Sequence, residues 1–267
     1  MIDLHTHILP SLDDGARDLK EALAMARMAV RDGITAAVAT PHFFRDGVET
    51  FQGDLIRRKR DEFQAALHRE RIPLTVHLGA EVHVSHDLLS KVLKYKGYLM
   101  LNRSSYLFIE FPSDHIFRGV KNLIFELMTE GVRPIITHPE RNSVFQRNPG
   151  LLFELVETGV LIQMNSGSLT GAYGSQVRKT ALDFLRCKMV HFLASDCHST
   201  KGLIPNLSEA LLIIREQYGD APSKSLVEDN PQAVLDNGEI PYQPDPRNPV
   251  EAERSFKIRL PSIFGSK

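Results

Sequence analysis

Residues 1–7 read Met-Ile-Asp-Leu-His-Thr-His, and this stretch predicts how the chain begins to fold. We expect a short strand over Ile2–His5, with a second histidine two residues beyond the first. Alternate side chains of an extended strand point the same way, so His5 and His7 can converge on one metal ion. Histidine is a common ligand of catalytic divalent metals, and the end of a strand is a rigid place to mount it. Two surface histidines on a terminal strand would give the same pattern, so the rest of the chain must decide.

Short apolar, β-branched segments alternate with longer amphipathic segments along the chain. The predicted strands are Ile2–His5, Thr35–Thr40, Leu74–Gly79, Tyr106–Glu110, Arg133–Thr137, Leu161–Asn165 and Val190–Ala194. The predicted helices are Leu19–Asp32, Phe51–Arg71, Asp87–Tyr95, Arg118–Glu130, Pro149–Thr158, Gln176–Arg186 and Asn206–Tyr218. This alternation is typical of a parallel α/β architecture. Seven strands suit either a barrel or a doubly wound sheet, and the periodicity does not choose between them.

The composition fits an ordinary globular protein. The chain has 267 residues, and α/β barrels of this length occur as one unit. A net charge of −1 argues against a protein dedicated to nucleic acid. The two cysteines, Cys187 and Cys197, form neither a disulfide framework nor a Cys-x-x-Cys motif. Neither a leader pattern nor an apolar run of about 20 residues is visible, so we expect a soluble, cytoplasmic protein without a transmembrane segment.

The C-terminal segment differs from the rest of the chain. We expect one domain over residues 1–240, followed by a proline-rich, extended or disordered tail over residues 241–267. The end of this tail is basic, with Arg254, Lys257, Arg259 and Lys267. A solvated tail is favoured, and contact with a partner or a membrane surface is the alternative.

Residues that can bind metal recur where the predicted strands end. They are His5, His7 and Asp13–Asp14, then His42, Glu81, Glu110, His138, Asp196 and His198, and they follow six of the seven strands. Parallel α/β proteins place their active sites at this edge. Each residue alone has a simpler explanation, such as a turn at Asp13–Gly15 or a helix cap at Glu110. A shared metal site explains all of them.

The donor set also indicates which chemistry to expect. Imidazole and carboxylate together suit Mn, Fe, Zn or Co, and several carboxylates are needed to neutralise two or three divalent ions. Such ions lower the pKa of a bound water and clamp both oxygens of a displacement at phosphorus. Arg141, three residues after His138, could offer a planar fork to phosphate oxygens.

These residues resemble the PHP (polymerase and histidinol phosphatase) superfamily. The closer resemblance is to the CpsB-type protein-tyrosine phosphatases of bacterial capsule and exopolysaccharide loci. It is carried by the stretches MIDLHTHILPSLDDGA, VATPHF, LGAEVH, YLFIEF, THPERN, QMNSGSL and ASDCHS, and by Asp229-Asn-Pro231 as a closing motif. These stretches cover nearly the whole chain to about residue 235.

The resemblance implies a distorted (β/α)7 barrel with a site for two to three divalent ions, manganese first and Fe, Zn or Co as alternatives. One ion would take His5, His7, Glu81 and Asp196, a second Glu81, Glu110 and His138, and a third Asp14, His42 and His198. Asp14 is preferred to Asp13 because it directly precedes Gly15 in the family pattern. A metal-bridging hydroxide would attack phosphorus, with Asp14 and Arg141 as catalytic residues. The substrate would be a phosphotyrosine protein, a bacterial tyrosine kinase of capsule synthesis.

One position departs from the family pattern. Where the family usually has an arginine followed by proline, this chain has Leu203, in the segment His198–Pro205. Lys201 could substitute as a second contact to the substrate phosphate, but as a point charge rather than a bidentate fork. Lower turnover or a shifted substrate preference is therefore our hypothesis.

Other functions of the same chemistry stay open. Histidinol phosphatase is the nearest alternative. A PHP exonuclease is another, in which the Arg57–Arg60 cluster would contact the nucleic-acid backbone. That cluster shares its helix with acidic residues, which favours a solvated face and leaves an oligomer contact or the docking of an acidic phosphotyrosine tail open. A non-catalytic barrel that binds metal only for folding would lack ligands, and none of the nine is missing. Cysteine-dependent phosphatase chemistry is excluded, because neither cysteine has an arginine six residues later.

Overall fold

The computed structural model describes residues 1–45, 53–249 and 251–252 of the chain. The strands are β1 (Ile2–Thr6), β2 (Ala36–Ala39), β3 (His42–Phe43), β4 (Thr75–Leu78), β5 (Glu81–His83), β6 (Tyr106–Glu110), β7 (Arg133–Thr137), β8 (Leu161–Asn165) and β9 (Phe192–Ala194). The helices are α1 (Leu19–Arg31), α2 (Gly53–Arg69), α3 (Leu88–Leu99), α4 (Val120–Thr129), α5 (Ser143–Arg147), α6 (Pro149–Glu157), α7 (Ser166–Thr170), α8 (Ser175–Arg186), α9 (Ser208–Tyr218), α10 (Asp220–Lys224) and α11 (Asn230–Leu235). The predicted start of the second helix, at Phe51, lies outside the described residues.

The strands form two parallel sheets. One has the order β1-β2-β4, and the other has the order β3-β5-β6-β7-β8-β9. The sheets meet beside β1, where the Asp196 N–H donates to His5 O and the His7 N–H to Cys197 O, each at 2.9 Å. The predicted parallel α/β architecture is therefore confirmed. The strand pairing of the described residues gives two sheets, and it does not by itself establish a closed (β/α)7 barrel.

Two short strands, β3 and β5, differ from the sequence-based expectation. The sequence predicts that His42 and Glu81 close the second and third strands, but those strands end at Ala39 and Leu78, and pairing resumes with His42 opposite Glu81. The break before His42 has a local cause, because Pro41 has no N–H to donate to a ladder.

The core has two layers, one on each side of the strands. An inner cluster consists of Ile2, Leu4, Val38, Leu101, Tyr106, Phe108, Ile135, Leu161, Phe192, Val234 and Ile240. Neighbouring residues such as Ile109 and Ile136 belong to a larger outer cluster that includes apolar residues of the helices. Both faces of the strands are buried in this way, as in other parallel sheets. Polar side chains are therefore concentrated where the strands end.

The segment after α11 is extended and hydrogen-bonded to the rest of the structure. The Tyr242 N–H donates to Asn230 Oδ1 at 2.9 Å, and the Arg247 N–H donates to Cys187 O at 2.8 Å. The basic residues expected at the end of the tail lie outside the described residues. No helix in the described part of the chain is long and apolar enough to cross a membrane.

Candidate metal centre

The two histidines at the start of the chain converge because β1 is bulged. Its pairing with β2 shifts in register midway along the strand. Leu4 belongs to the inner cluster, and the ring of the next residue, His5, lies 5.1 Å from that of Phe108 in the same cluster. Adjacent side chains of a regular strand point to opposite faces, so the bulge turns His5 inward. His5 Nε2 and His7 Nε2 then lie 3.3 Å apart.

The two aspartates of the next loop contact different partners. Asp13 Oδ2 lies 2.7 Å from His7 Nδ1. Asp14 Oδ1 lies 3.4 Å from His42 Nε2 and 3.3 Å from His198 Nε2. The structure thus brings Asp14 to the two histidines expected to share an ion with it, while Asp13 holds the far side of the His7 ring.

Gly15 lets this loop return to the first strand. The Asp13 carboxylate accepts the Gly15 N–H at 3.0 Å, and the Ala16 N–H donates to His7 O at 3.1 Å. A Cβ on Gly15 would lie 2.0 Å from His7 O. Only glycine fits this approach, so the Asp14-Gly15 pair has a steric reason.

The Glu81 carboxylate lies at the centre of the cluster and is fully buried. Its Oε1 is 2.9 Å from His138 Nε2. Its Oε2 is 3.3 Å from His5 Nε2 and 3.1 Å from His42 Nδ1. A carboxylate approached on both oxygens by histidines is placed to bridge two cations.

Asp196 and Glu110 bring two further carboxylates to the same histidines. Asp196 Oδ1 lies 3.5 Å from His5 Nε2 and 3.4 Å from His7 Nε2, and Glu110 Oε2 lies 3.6 Å from His42 Nδ1. The nine predicted ligands therefore meet in one cluster. The donor atoms close enough to share an ion fall into three sets, which are His7, Asp14, His42 and His198; His5, His7 and Glu81; and His42, Glu81 and Glu110. His138 joins them through Glu81.

Several buried atoms of the cluster lack a hydrogen bond. They are Glu81 Oε2, His42 Nδ1 and Asp196 Oδ1. A buried polar atom without a partner costs about 1–3 kcal/mol, and more when it is charged. A divalent ion among these atoms would satisfy them. These atoms without a hydrogen bond, together with the mixed imidazole and carboxylate donors, fit the predicted metals.

Burial and neighbouring charges set the protonation of the metal-free cluster. Burial opposes the charged form of His5, but the nearby carboxylates, Glu81 foremost, outweigh it and raise the pKa of His5. Burial is likewise outweighed at His42 by Asp14 and Glu81, and the pKa of His42 rises to about 9. Hydrogen bonds from His198 and His42 lower the pKa of Asp14 far below its usual range. His42 is therefore protonated near neutral pH in the metal-free cluster, and a bound ion would replace that proton, because a ligating imidazole must be neutral.

Two of the clustered residues have strained backbones at the ends of strands. His138 follows β7 with φ of 33°, and Asp196 follows β9 with φ of 52°. Left-handed backbone is uncommon outside glycine, and such strain concentrates at functional sites. Here it turns both side chains toward Glu81 and the histidines.

Of the two residues expected at the substrate phosphate, Arg141 lies against the cluster. Its Nη1 donates to Asp196 Oδ2 at 2.8 Å, and its guanidinium lies 4.5 Å above the Tyr173 ring. Lys201 is exposed, and its side chain makes no hydrogen bond or ion pair within the part of the chain that the structure describes. Leu203 accepts the His198 N–H at 2.9 Å and closes the loop.

A cavity of about 430 Å³ opens beside the cluster. Polar groups line it, among them Glu110, His138 and Arg141, and Phe111 adds an apolar wall that is backed by the fully buried Phe145. The combination of a metal-ligating edge and an aromatic wall suits a charged group attached to a ring.

Sequence reasoning missed several side chains of this site. Arg45 and His83 line the cavity, and Asp13, Gln163 and Asn165 contact the predicted ligands. The signal for the last two was the pair of polar residues two positions apart at the end of β8, the strand that offers no charged ligand. The family pattern favours Asp14 over Asp13, because Asp14 directly precedes Gly15.

Comparison with known proteins assigns the family. The family described as capsular polysaccharide synthesis, CpsB/CapC, matches residues 1–236. The chain belongs to this family. The match covers the whole cluster from His5 to His198 and agrees with the resemblance seen in the sequence.

Members of the CpsB/CapC family resemble the chain over nearly their full length. The tyrosine-protein phosphatase YwqE of Bacillus subtilis (strain 168) is 38% identical over 256 residues, covering 96% of this chain and 99% of that protein. The putative tyrosine-protein phosphatase CapC of Staphylococcus aureus is 32% identical over 242 residues, 90% of each chain. The tyrosine-protein phosphatase CpsB of Streptococcus pneumoniae is 30% identical over 240 residues, 88% of this chain and 98% of that protein.

A solved structure shares the fold as well. It comes from a study of YwqE from Bacillus subtilis and CpsB from Streptococcus pneumoniae, described as unique metal-dependent tyrosine phosphatases. It matches with a TM-score of 0.87 and 38% identity, over 93% of this chain and 99% of that one.

Proposed function

We propose that this protein is a metal-dependent protein-tyrosine phosphatase, a phosphoric monoester hydrolase acting on phosphotyrosine. The observation that carries the proposal is the convergence of Glu81, His42 and Asp196, each with a buried atom that makes no hydrogen bond, beside a cavity with an aromatic wall. The family's relatives are named tyrosine-protein phosphatases, which supports the same activity.

The cluster would hold two to three divalent ions, manganese first. His5, His7, Glu81 and Asp196 would hold one ion, Glu81, Glu110 and His138 a second, and Asp14, His42 and His198 a third. Divalent ions in such a site supply a water of lowered pKa and balance the charge of a phosphoryl group.

The protein's own residues would bind and orient the phosphate. Arg141 is fixed by Asp196 through one nitrogen and by stacking on Tyr173, which leaves its other N–H groups for phosphate oxygens. Lys201 would add a second positive charge from the loop that lacks an arginine at Leu203. Tyrosine leaves as a phenolate, and because the phenol pKa is about 10, a strong general acid is less necessary.

The cavity beside the cluster would receive the rest of the substrate. Phe111, backed by the buried Phe145, forms an apolar wall next to His138 and Arg141, so the ring of phosphotyrosine can pack while its phosphate meets the ions. In histidinol phosphate an alkyl chain with a charged amine separates the phosphate from the imidazole ring, and the apolar wall offers that amine no partner.

The larger architecture completes the proposal. We infer that the two sheets are parts of one distorted (β/α)7 barrel in a domain of residues 1–240, with residues 241–267 as a tail. The protein would act in the cytoplasm, and its substrate would be a bacterial tyrosine kinase that controls capsular or exopolysaccharide synthesis.

An activity panel tests the function. Protein depleted of metal and reconstituted with Mn²⁺ would be offered a phosphotyrosine peptide, histidinol phosphate and single-stranded DNA, with and without chelator. We expect preferred hydrolysis of the peptide, its loss on chelation and its return with Mn²⁺. Lys201→Ala should raise KM for the peptide, with Lys179→Ala, on the surface of α8, as the matched control.

Each opposite result has a defined meaning. Preferred hydrolysis of histidinol phosphate would overturn the tyrosine phosphatase assignment. Activity that survives the chelator would overturn the metal mechanism. Unchanged kinetics in Lys201→Ala would remove Lys201 from the phosphate site.

A further inference from the structure

The strand without a charged ligand ends in two buried amides. Gln163 and Asn165 of β8 are both fully buried. Gln163 Oε1 lies 3.0 Å from His5 Nδ1, and Gln163 Nε2 donates to Asn165 Oδ1 at 2.9 Å. Asn165 Nδ2 donates in turn to Asp196 Oδ2 at 2.7 Å. Three hydrogen bonds therefore join His5 to Asp196.

The chemistry of the groups fixes the donor-to-acceptor direction of these three hydrogen bonds. An ionised carboxylate only accepts, so Asp196 requires the amide nitrogen of Asn165. The amide oxygen of Asn165 then faces Gln163 and requires its nitrogen. The oxygen of Gln163 is left for His5, which must donate a proton from Nδ1.

At each end of this series of hydrogen bonds, one ligand atom takes no part in the series. With Nδ1 protonated, a neutral His5 carries its lone pair on Nε2. Asp196 has its Oδ2 occupied, while its Oδ1 makes no hydrogen bond. These two atoms lie 3.5 Å apart, both within reach of His7 Nε2.

We propose that Gln163 and Asn165 form a directional amide relay that positions His5 and Asp196 so that His5 Nε2 and Asp196 Oδ1 share one divalent ion. The proposal rests on the proposed metal site and names positioning residues for it, not catalytic ones. It also explains why β8 carries amides: a carboxylate in place of either amide would break the donor-to-acceptor order.

The relay is separate from the main-chain bonds of the same strand. The Asn165 N–H donates to Glu140 Oε1 at 2.9 Å, and this bond survives any change of the Asn165 side chain. Asn165 Nδ2 also lies 3.3 Å from Tyr173 Oη, which links the relay to the ring under Arg141.

Metal binding measured apart from catalysis tests the relay. Wild type, Gln163→Met and Asn165→Leu would be depleted of metal and titrated with Zn²⁺ against a chromophoric chelator, followed by kcat and KM with Mn²⁺. Loss of a partner that orients a ligand typically weakens metal binding or activity about 10–100-fold. We expect Zn²⁺ binding to weaken by that factor in both variants. At limiting Mn²⁺ their kcat should fall, and excess Mn²⁺ should restore it.

A matched control separates positioning from folding. Gln64→Met removes an amide that bonds Leu74 O and the Val76 N–H away from the cluster. Denaturant unfolding of the metal-free proteins is compared alongside. We expect Gln64→Met to bind Zn²⁺ like wild type, whatever its stability.

Gln163→Glu tests the direction of the relay. The new carboxylate can accept from His5 Nδ1, but it cannot donate to Asn165 Oδ1. An ionised carboxylate still supports His5 but leaves Asn165 and Asp196 without their donor, so we expect Zn²⁺ affinity below that of wild type and above that of Gln163→Met. Wild-type affinity in Gln163→Glu would mean that His5 needs only an acceptor and would overturn the relay.

The remaining outcomes distinguish this inference from the function. If wild type binds Zn²⁺ and all three β8 variants bind it equally well, the relay is wrong and the metal site stands. If wild type binds no Zn²⁺ or Mn²⁺, the proposed function fails first, and the relay fails with it.

Discussion

At the scale of single residues, a ligand side chain has one polar atom bonded to the protein, and its other polar atom is left for an ion. His7 is held at Nδ1 by Asp13, and its Nε2 faces His5 and Asp196. Asp196 is held at Oδ2 by Arg141 and Asn165, while its Oδ1 makes no hydrogen bond and faces His5 and His7. A ligand fixed at one end loses little conformational freedom when an ion binds at the other.

This division predicts different behaviour for the two neighbouring aspartates. Asp13 accepts from His7 and from the Gly15 N–H, so Asp13→Asn should loosen His7 without removing a ligand. Asp14 presents its oxygen to His42 and His198, so Asp14→Asn should remove a ligand. We expect Asp13→Asn to lower activity about 10–100-fold at limiting Mn²⁺ and to recover in excess, whereas Asp14→Asn should stay impaired.

Steady-state kinetics across a range of Mn²⁺ concentrations measure the difference. Asp87→Asn is a suitable control. Asp87 is exposed, accepts a hydrogen bond from the Ser85 hydroxyl and pairs with Lys91 rather than with a residue of the cluster. The reverse pattern, with Asp14→Asn rescued by metal and Asp13→Asn not, would exchange the roles of the two residues.

The sequence indicates candidate ligands better than their supports. Histidine and carboxylate at six strand ends are recognisable because few residue types bind divalent metal. Asp13 and the Gln163–Asn165 pair have the residue types of ordinary turns and strands. Their contacts cross 158 residues in the case of His5 and Gln163, so only the folded chain reveals them.

At the scale of elements, the long strands are predictable and the short ones are not. The observed bounds of β6, β7 and β8 coincide with those expected from their apolar, β-branched runs. β3 and β5 have two and three residues, too few for any periodicity, and they exist because His42 pairs with Glu81. Two ligands thus begin short strands, a placement that sequence patterns do not specify.

The junction of β8 and β9 contains a histidine with a structural role. The Ile162 N–H donates to His191 Nδ1 at 3.1 Å, and the His191 N–H donates to Ile162 O at 3.0 Å. Burial lowers the pKa of His191 to about 4. The ring is therefore neutral in the folded protein, and its Nδ1 accepts the Ile162 N–H beside the paired strands β8 and β9.

His191 should therefore destabilise the fold in acid. His191 binds a proton near pH 6.5 in the unfolded chain but only near pH 4 in the folded protein. The contribution of the neutral ring to stability is therefore present above pH 6.5 and is lost as the pH falls to about 4. The loss is about 3 kcal/mol. Denaturant unfolding of metal-free protein across this range would measure it.

The test compares two histidine variants. His191→Asn keeps an acceptor for the Ile162 N–H without a titrating ring, so its stability should fall less steeply with pH than that of wild type. His68→Asn, at an exposed position on α2, should follow wild type. Equal acid sensitivity of wild type and His191→Asn would contradict a buried neutral ring.

At the scale of the whole molecule, the cluster joins the two sheets. His5 lies on β1 of the three-stranded sheet, while Glu81 and Glu110 lie on β5 and β6 of the six-stranded one. Bound ions would therefore cross-link distant parts of the chain. Metal binding should stabilise the entire fold rather than one loop.

Metal removal should accordingly lower stability and take up protons. At a free ion concentration of 100 times the Kd, one site adds about 2.7 kcal/mol to the free energy of unfolding. In the metal-free protein the pKa of His42 is about 9, so near neutral pH this ring is charged and must lose its proton to ligate. We expect chelator to lower the unfolding midpoint, and Mn²⁺ binding to release protons.

Isothermal titration calorimetry in two buffers of different ionisation enthalpy measures the released protons. The apparent binding enthalpies should differ between the buffers, and His42→Asn should reduce the difference, because one charged ring is gone. His68→Asn should leave the difference unchanged. A site already free of protons would bind the ion without proton release, so identical enthalpies in both buffers would contradict a charged, metal-free His42. An unfolding midpoint insensitive to chelator would contradict the cross-link between the sheets.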